Sequence, residues 1–245
     1  MSIALFFDDG GVLNDNKIRG KQWETLVGEY YYSRFGGEPE VWGEANHKII
    51  PSFFDMLRDG KDIFGDYQTF YINFKKHMVL EMFKEAGKTL PKNINLVEVF
   101  NSTRAYVIPK VQSAIPGVID SIKGLSSKDF ILYTAAGAVS IEMKLYLEGM
   151  GIIQYFQEFY GPDLINTWKM DSEYYEAIFK HSEVDGAKAI IIEDNPRFLN
   201  AALEVGANVI QSCLTGEFKP QFPFYVEDMS NLNLIIENLI KSHNL

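Results

Sequence analysis

The sequence predicts an α/β fold, with a doubly wound (Rossmann-like) parallel sheet core and an inserted all-helical segment. Short apolar runs that end in turn or polar residues alternate with helix-like segments, which is typical of parallel βα units. Residues 15–109 instead have aromatic residues at helical spacing and no clear strand. With 245 residues, 47% of them apolar, the chain is long enough for one core and an inserted domain.

The core is predicted from five apolar runs and the helices between them. The predicted strands are Ile3–Phe7, Phe130–Thr134, Glu158–Tyr160, Ala189–Glu193 and Asn208–Ser212. Pro116-Gly117 and Asp171-Ser172 each precede a helical pattern, and an amphipathic helix from Leu232 to Ile240 closes the chain. We therefore assign residues 1–14 and 110–245 to the α/β core.

The inserted segment, residues 15–109, is predicted to be a small helical bundle with an aromatic core. The aromatic residues are Trp23, Tyr30, Tyr31, Phe35, Trp42, Phe53, Phe54, Tyr67, Phe70, Tyr71 and Phe74. Because no basic residues alternate with them, they indicate a packed core and not a platform for stacked bases. We expect turns at Gly36-Gly37, at Asp59-Gly60 and from Gly87 to Pro91.

Composition excludes several classes of partner. A formal net charge of −10 and the lack of a Lys/Arg cluster argue against nucleic acid. A single cysteine, Cys213, allows no disulfide framework and no cysteine-based zinc site within one chain. The first apolar run is only about five residues long and has no positive segment before it, so we expect neither a signal peptide nor a membrane partner. We expect a cytoplasmic monomer or homodimer.

Four positions at strand ends or at a helix start carry side chains suited to chemistry. They are Asp8, Thr134, Lys169 and the pair Glu193-Asp194. Parallel strands bring their carboxyl ends to one edge of the sheet, so these side chains are expected to share a pocket. Three carboxylates at one place repel each other, and a divalent cation keeps them ionised at neutral pH. Oxygen ligands without Cys or His favour a hard ion, and we expect Mg²⁺.

These motifs, in this order, resemble those of the haloacid dehalogenase-like hydrolase superfamily. In that family a first strand ends in Asp-x-Asp-Gly-Thr/Val-Leu, a second ends in Thr or Ser, a Lys precedes a helix, and a later strand ends in an acidic pair. The matching segments here are Asp8-Asp9-Gly10-Gly11-Val12-Leu13, Ile131-Leu132-Tyr133-Thr134, Lys169-Met170-Asp171 and Ile191-Ile192-Glu193-Asp194-Asn195. The resemblance covers residues 1–13 and 110–245, and the insertion is similar to the family's helical cap of the first type.

The resemblance implies a Mg²⁺-dependent phosphatase that acts on a small phosphorylated metabolite. Asp8 would take up the phosphoryl group as an aspartyl phosphate. The implied metal ligands are Asp8, the backbone carbonyl of Gly10, Glu193 and Asp194. The implied phosphoryl-binding residues are Thr134, Ala135 and Lys169, with the Thr134 hydroxyl and the Lys169 ammonium offsetting charge.

Position 10 departs from the family motif. Phosphatases of the family use the second Asp of the first motif to protonate the leaving oxygen and then to activate water, and here that residue is Gly10. Asp9 does not replace it, because neighbouring residues that leave a strand point to opposite sides. Loss of a positioned acid/base lowers the rate by about 10² to 10⁴. We therefore expect slow hydrolysis of ordinary alkyl phosphates.

Several explanations of Gly10 stay open at this point. The substrate has a good leaving group, the cap supplies an acid, or the chemistry needs no acid there. One alternative function is a phosphonatase-like C–P hydrolase that uses a cap lysine as Schiff base, with Lys17, Lys21, Lys48 and Lys61 as candidates. Another is a catalytically weakened member that binds a phosphorylated ligand. Asp9 is expected to hydrogen-bond within its loop, and Asn195 either orients metal-bound water or caps a helix.

Overall fold

The computed structural model describes residues 3–245. The chain divides into two compact units. The first unit runs up to Asn16 and resumes with Ser113–Leu245, and the second is Lys17–Gln112. The sequence places the inserted segment at residues 15–109.

A six-stranded parallel sheet lies at the centre of the first unit. Its strands are β1 (Ile3–Phe7), β2 (Phe130–Ala135), β3 (Phe156–Tyr160), β4 (Ala189–Glu193), β5 (Asn208–Ser212) and β6 (Tyr225–Val226). They are ordered β3-β2-β1-β4-β5-β6, and each neighbouring pair is parallel. The chain therefore extends the sheet on both sides of β1, which confirms the predicted doubly wound core.

Helices cover both faces of this sheet. They are α6 (Val118–Ser126), α7 (Ser140–Gly149), α8 (Pro162–Ile165), α9 (Ser172–Ser182), α10 (Pro196–Glu204) and α11 (Leu232–His243), with 3₁₀ turns at Ile153–Tyr155, Gly186–Lys188 and Met229–Asn231. Leu5 and Phe7 of β1 pack in the cluster that holds α6, α7 and α11. Ala4 and Phe6 pack in the cluster that holds α9 and α10. This alternation along a fully buried strand gives two apolar layers, one on each face.

Two strand boundaries and one strand differ from the prediction. β3 begins at Phe156 and not at Glu158, and β2 includes Ala135. β6 is two residues long and pairs with β5, where the Cys213 N–H donates to the Val226 carbonyl at 2.8 Å. A segment of two residues is too short for its pattern to predict a strand, and its pairing with β5 gives it the strand conformation.

The second unit is a bundle of helices. They are α1 (Asn16–Phe35), α2 (Pro39–Lys48), α3 (Ile50–Phe64), α4 (Tyr67–Glu85) and α5 (Leu96–Val107), followed by a 3₁₀ turn at Ile108–Lys110. Trp42 is fully buried, and the rings of Tyr31 and Phe83 lie 4.9 and 5.1 Å from it between centroids. Of the aromatic residues predicted for this core, Phe54 lies at the surface with 61% of its area exposed.

The turn predicted at Asp59-Gly60 is wrong, because both residues lie inside α3. Gly60 is buried, and a Cβ there would lie 2.7 Å from the ring of Phe70. The glycine therefore allows close packing within the bundle and does not end the helix. The chain turns at Gly65 instead, where φ is 74°. The predicted turns at Gly36-Gly37 and after Gly87 lie between helices.

None of the helices among residues 3–245 is long and apolar enough to cross a membrane.

Candidate active site

The candidate site lies at the carboxyl ends of three neighbouring strands. Asp8 directly follows β1, Thr134 and Ala135 end β2, and Glu193 ends β4. Since β1 lies between β2 and β4, these residues meet at one edge of the sheet. In open α/β sheets this edge, where the strand order changes direction, is where ligands bind.

A tight turn follows Asp8 and directs the next side chain away from it. The Asp9 carbonyl accepts the N–H groups of residues 12–14 at 2.8 to 3.4 Å. The Asp9 carboxylate is buried and accepts the Asn14 amide at 2.6 Å, and the Ser113 hydroxyl donates to the same Asn14 side chain at 2.6 Å. Asp9 thus holds its loop together, as its sequence position indicates.

Three carboxylates and one ammonium form the centre of the site. Asp8, Glu193 and Asp194 each place one oxygen so that the three lie within 4.8 Å of one another. The Lys169 ammonium donates to Asp8 Oδ1 at 2.6 Å and to Glu193 Oε2 at 2.5 Å. The side chains of Lys169, Asp8 and Glu193 are 4%, 13% and 1% exposed. One ammonium cannot neutralise three carboxylates, so the cluster would carry excess negative charge with all three groups ionised.

The segment after β4 holds the Glu193 carboxylate in place. Glu193 Oε1 accepts the backbone N–H groups of Asp194 and Asn195 at 3.1 and 3.0 Å. Asn195 caps α10, because its side chain accepts the Arg197 N–H at 3.0 Å. Of the two roles that the sequence left open for Asn195, the structure shows the cap.

Gly11 allows Asp194 to approach the first loop. Its φ is +75°, a left-handed conformation that favours glycine, and a Cβ there would collide with the Asp194 carboxylate. The buried Ser212 hydroxyl donates to the Gly11 carbonyl at 2.5 Å and fixes the loop from the end of β5. Ser212 is not among the site residues predicted from the sequence, although its place at the end of a predicted strand was the available signal.

The end of β2 is held by bonds to the adjacent strand and to α9. The fully buried Thr134 donates its hydroxyl to the Tyr160 carbonyl at 3.2 Å, and the Ala136 N–H donates to the same carbonyl at 3.0 Å. The Tyr174 hydroxyl donates to the Ala136 carbonyl at 2.7 Å. The structure therefore shows the Thr134 hydroxyl bonded to backbone, and a phosphoryl role would require it to turn away from Tyr160.

Burial dominates the electrostatics of the cluster. It raises the pKa of Asp8 to about 7, with Glu193 adding to the shift, and raises the pKa of Glu193 to about 7. Burial likewise raises the pKa of Asp194 to about 6. Burial opposes the charge on Lys169, but Asp8 and Glu193 outweigh it and raise the pKa of the ammonium. A site that needs more positive charge and offers only oxygen ligands fits a hard divalent cation.

These pKa values predict that a divalent cation stabilises the protein more at pH 8 than at pH 5. The carboxyl groups bind protons more tightly in the folded state, so metal-free stability falls as pH rises from about 4 through about 7. A bound cation removes that loss, because it favours the ionised carboxylates. Thermal unfolding with Mg²⁺ or with chelator at both pH values measures the effect. An equal shift in Tm at the two pH values would contradict this account.

Comparison with known proteins places this site in a family. The model of the haloacid dehalogenase-like hydrolase family matches residues 48–212. The matched segment contains Thr134, Lys169 and the pair Glu193-Asp194, and it begins after the loop that holds Asp8. A search of curated protein sequences finds no match.

Solved structures share the fold at low sequence identity. The defluorinating L-2-haloacid dehalogenase Rha0230 has a TM-score of 0.71 and 12% identity over 96% of this chain and 94% of its own. A 2-haloacid dehalogenase from Pseudomonas syringae pv. Tomato DC3000 has a TM-score of 0.67 and 15% identity over 97% and 99%. The putative HAD-hydrolase YfnB from Bacillus subtilis, a structure with bound magnesium, has a TM-score of 0.65 and 15% identity over 100% and 99%. With the fold of these structures and a family match over most of its length, the chain belongs to the haloacid dehalogenase-like hydrolase family.

Proposed function

We propose that this hydrolase is a Mg²⁺-dependent phosphatase that acts on a small phosphorylated metabolite, with Asp8 as the nucleophile. The observation that carries the proposal is the meeting of Asp8, Glu193 and Asp194 within 4.8 Å around one lysine. Among residues 3–245 this is the one group of three or more His, Cys, Asp or Glu side chains close enough to hold a metal ion. The cluster has more carboxylates than positive charges and offers only oxygen ligands. It is therefore suited to a divalent cation that in turn binds a phosphoryl group.

Asp8 and Asp194 are the side chains best placed to hold the ion. One carboxylate oxygen of Glu193 accepts two backbone N–H groups, and the other accepts Lys169. Glu193 is therefore better suited to contact the ion indirectly than to bind it directly. The Gly10 carbonyl lies in the same loop as Asp8, and we retain it as a proposed ligand. When bound, Mg²⁺ would supply positive charge to the phosphoryl oxygens and lower their repulsion of Asp8.

The protein's own groups account for the remaining steps. Asp8 Oδ1 is held by Lys169, which leaves Oδ2 to attack phosphorus. The bond from phosphorus to the leaving oxygen breaks, an aspartyl phosphate forms, and water then releases inorganic phosphate. Lys169 orients the carboxylate and offsets the charge of the transferring group, while Thr134 and Ala135 are proposed to bind its oxygens.

Hydrolysis of 2-haloacids is the second candidate. Four of the structural neighbours are named as 2-haloacid dehalogenases, and a halide leaves without a proton, which suits Gly10. The acidic cluster favours the phosphatase, because a divalent cation held by these carboxylates would offset their repulsion of a phosphoryl group. Phosphonate cleavage and ligand binding without turnover remain further alternatives.

The test is phosphate release from 4-nitrophenyl phosphate and acetyl phosphate, with Mg²⁺ and with chelator. We expect Mg²⁺-dependent release that falls by about 10³-fold or more in Asp8→Asn. Asp129→Asn is the matched control, because this exposed aspartate precedes β2 at the opposite edge of the sheet. Its activity should equal that of the wild type.

Each alternative function has a different signature in the same assays. Chloride release from a 2-chloro acid without phosphate release would replace the proposal with dehalogenation. Cleavage of a phosphonate, with a lysine trapped by borohydride, would replace it with phosphonatase chemistry. A stable aspartyl phosphate without turnover would show the weakened, ligand-binding member.

A further inference from the structure

The carboxamide of Asn16 lies where a side chain at position 10 would leave the backbone. A Cβ built on Gly10 would be 2.6 Å from Asn16 Oδ1, 2.8 Å from Nδ2 and 3.1 Å from Cγ. Heavy atoms cannot share that space, so a side chain at position 10 and Asn16 in this conformation exclude each other. Asn16 is the first residue of α1 and is exposed to solvent, while Gly10 is half-buried.

This space corresponds to the place of the acid in the family motif that residues 8–13 resemble. Gly10 holds the second acidic position of that motif, so a Cβ built on Gly10 marks the point where the family's acid would leave the backbone. The carboxylate of Asp9, the adjacent acidic residue, faces Asn14. The group that occupies this space in the protein is therefore the amide of Asn16.

We infer that Asn16 faces the leaving-group oxygen of the substrate in place of the missing acid. This inference rests on the proposed phosphatase function. An amide donates a hydrogen bond through Nδ2 but transfers no proton, so it stabilises a departing anion and does not neutralise it. The chemistry selects phosphoryl groups on an oxygen that leaves readily as an anion, namely acyl or aryl phosphates.

The reaction balances without an acid at position 10. Asp8 Oδ2 forms a bond to phosphorus, and the bond from phosphorus to the leaving oxygen breaks with its electron pair on that oxygen. The leaving group departs as a carboxylate or phenolate that accepts the hydrogen bond from Asn16. Water then attacks the aspartyl phosphate, Asp8 is released as a carboxylate, and both protons of the water stay on the released phosphate.

The main test is Asn16→Asp, which places a carboxyl group next to the space where a side chain at position 10 would lie. The rates to compare are phosphate release from 4-nitrophenyl phosphate, an aryl ester, and from glycerol 1-phosphate, an alkyl ester. We expect the alkyl rate to rise by about 10-fold or more, because protonation matters most for poor leaving groups, while the aryl rate changes by only a few-fold. Asn200→Asp, the same change at an exposed position of α10, should leave both rates unchanged.

Asn16→Ala is the second variant and does not depend on the added carboxylate. Loss of a hydrogen bond made to the departing oxygen should lower kcat on the aryl ester by about 2- to 10-fold, with KM nearly unchanged. If the only role of Asn16 were to begin α1, its substitution would not change the ratio of the alkyl rate to the aryl rate.

The outcomes separate the inference from the proposed function. If the wild type hydrolyses aryl phosphates through Asp8 but Asn16→Asp keeps the wild-type ratio and Asn16→Ala keeps the wild-type kcat, the inference is overturned and the phosphatase stands. If the wild type releases no phosphate from aryl or acyl phosphates, the proposed function fails and the inference fails with it.

Discussion

Lys169→Met is expected to destabilise the metal-free protein by about 3 to 5 kcal/mol at pH 8, the range for removing one partner from a buried ion pair. Lys169 is the cation that bonds directly to both Asp8 and Glu193, and the three side chains are almost fully buried. Methionine keeps most of the length of the side chain but leaves both carboxylates without a counter-charge. Denaturant unfolding in the presence of chelator measures the loss.

The dependence on pH distinguishes lost charge pairing from lost packing. At pH 5 Asp8 and Glu193, whose pKa values are about 7, are protonated and need no counter-charge. The loss of stability in Lys169→Met should therefore be much smaller at pH 5 than at pH 8. Lys128→Met is the matched control, since its 2.7 Å bond to Glu237 joins side chains that are 37% and 44% exposed. We expect little change there at either pH, because water solvates both charges. A loss of equal size at both pH values would show that packing, and not charge, accounts for the effect.

Gly11→Ala is expected to abolish both the stabilisation by divalent cations and the phosphatase activity. A Cβ at this position collides with the Asp194 carboxylate, which must leave its present position near Asp8 and Glu193. The left-handed φ of +75° adds backbone strain of about 1 to 2 kcal/mol. The shift in Tm on addition of Mg²⁺ at pH 8 reports the loss of the ion, and phosphate release reports the loss of activity.

Gly216→Ala separates the backbone strain from the collision. Gly216 also has a positive φ, +69°, and a Cβ there meets no atom within 4 Å. This control should lose a similar small amount of stability and should keep both the response to Mg²⁺ and the activity. If Gly11→Ala behaves like Gly216→Ala, Asp194 does not need its present position to bind the ion.

The α/β class could be predicted because it depends on local patterns. β1, β4 and β5 begin and end where the sequence predicts, since each contains the apolar residues that a buried parallel strand needs. The turn at Asp59-Gly60 could not be predicted correctly, because the packing of Phe70 against Gly60 determines that this glycine stays helical. β6 depends in the same way on the free edge of β5.

The acidic residues of the candidate site could also be predicted from the sequence, because parallel strands bring Asp8, Glu193 and Asp194 to one edge of the sheet. The hydrogen-bond partner of each side chain could not be predicted from the sequence. The Thr134 hydroxyl donates to Tyr160, and the Asn16 amide lies over Gly10. These contacts join residues far apart in the chain or on opposite sides of a turn, and neither periodicity nor spacing encodes them.

Apolar periodicity and the residues that follow each strand were thus enough to establish the architecture and the acidic edge of this protein, since both follow from local backbone preference and the direction of the strands. The tertiary structure alone decided how Lys169 divides its charge between Asp8 and Glu193, and that an amide takes the space of the absent acid. The reason is physical: ion pairing, burial and steric exclusion depend on distances between atoms, and those distances exist only after the chain has folded.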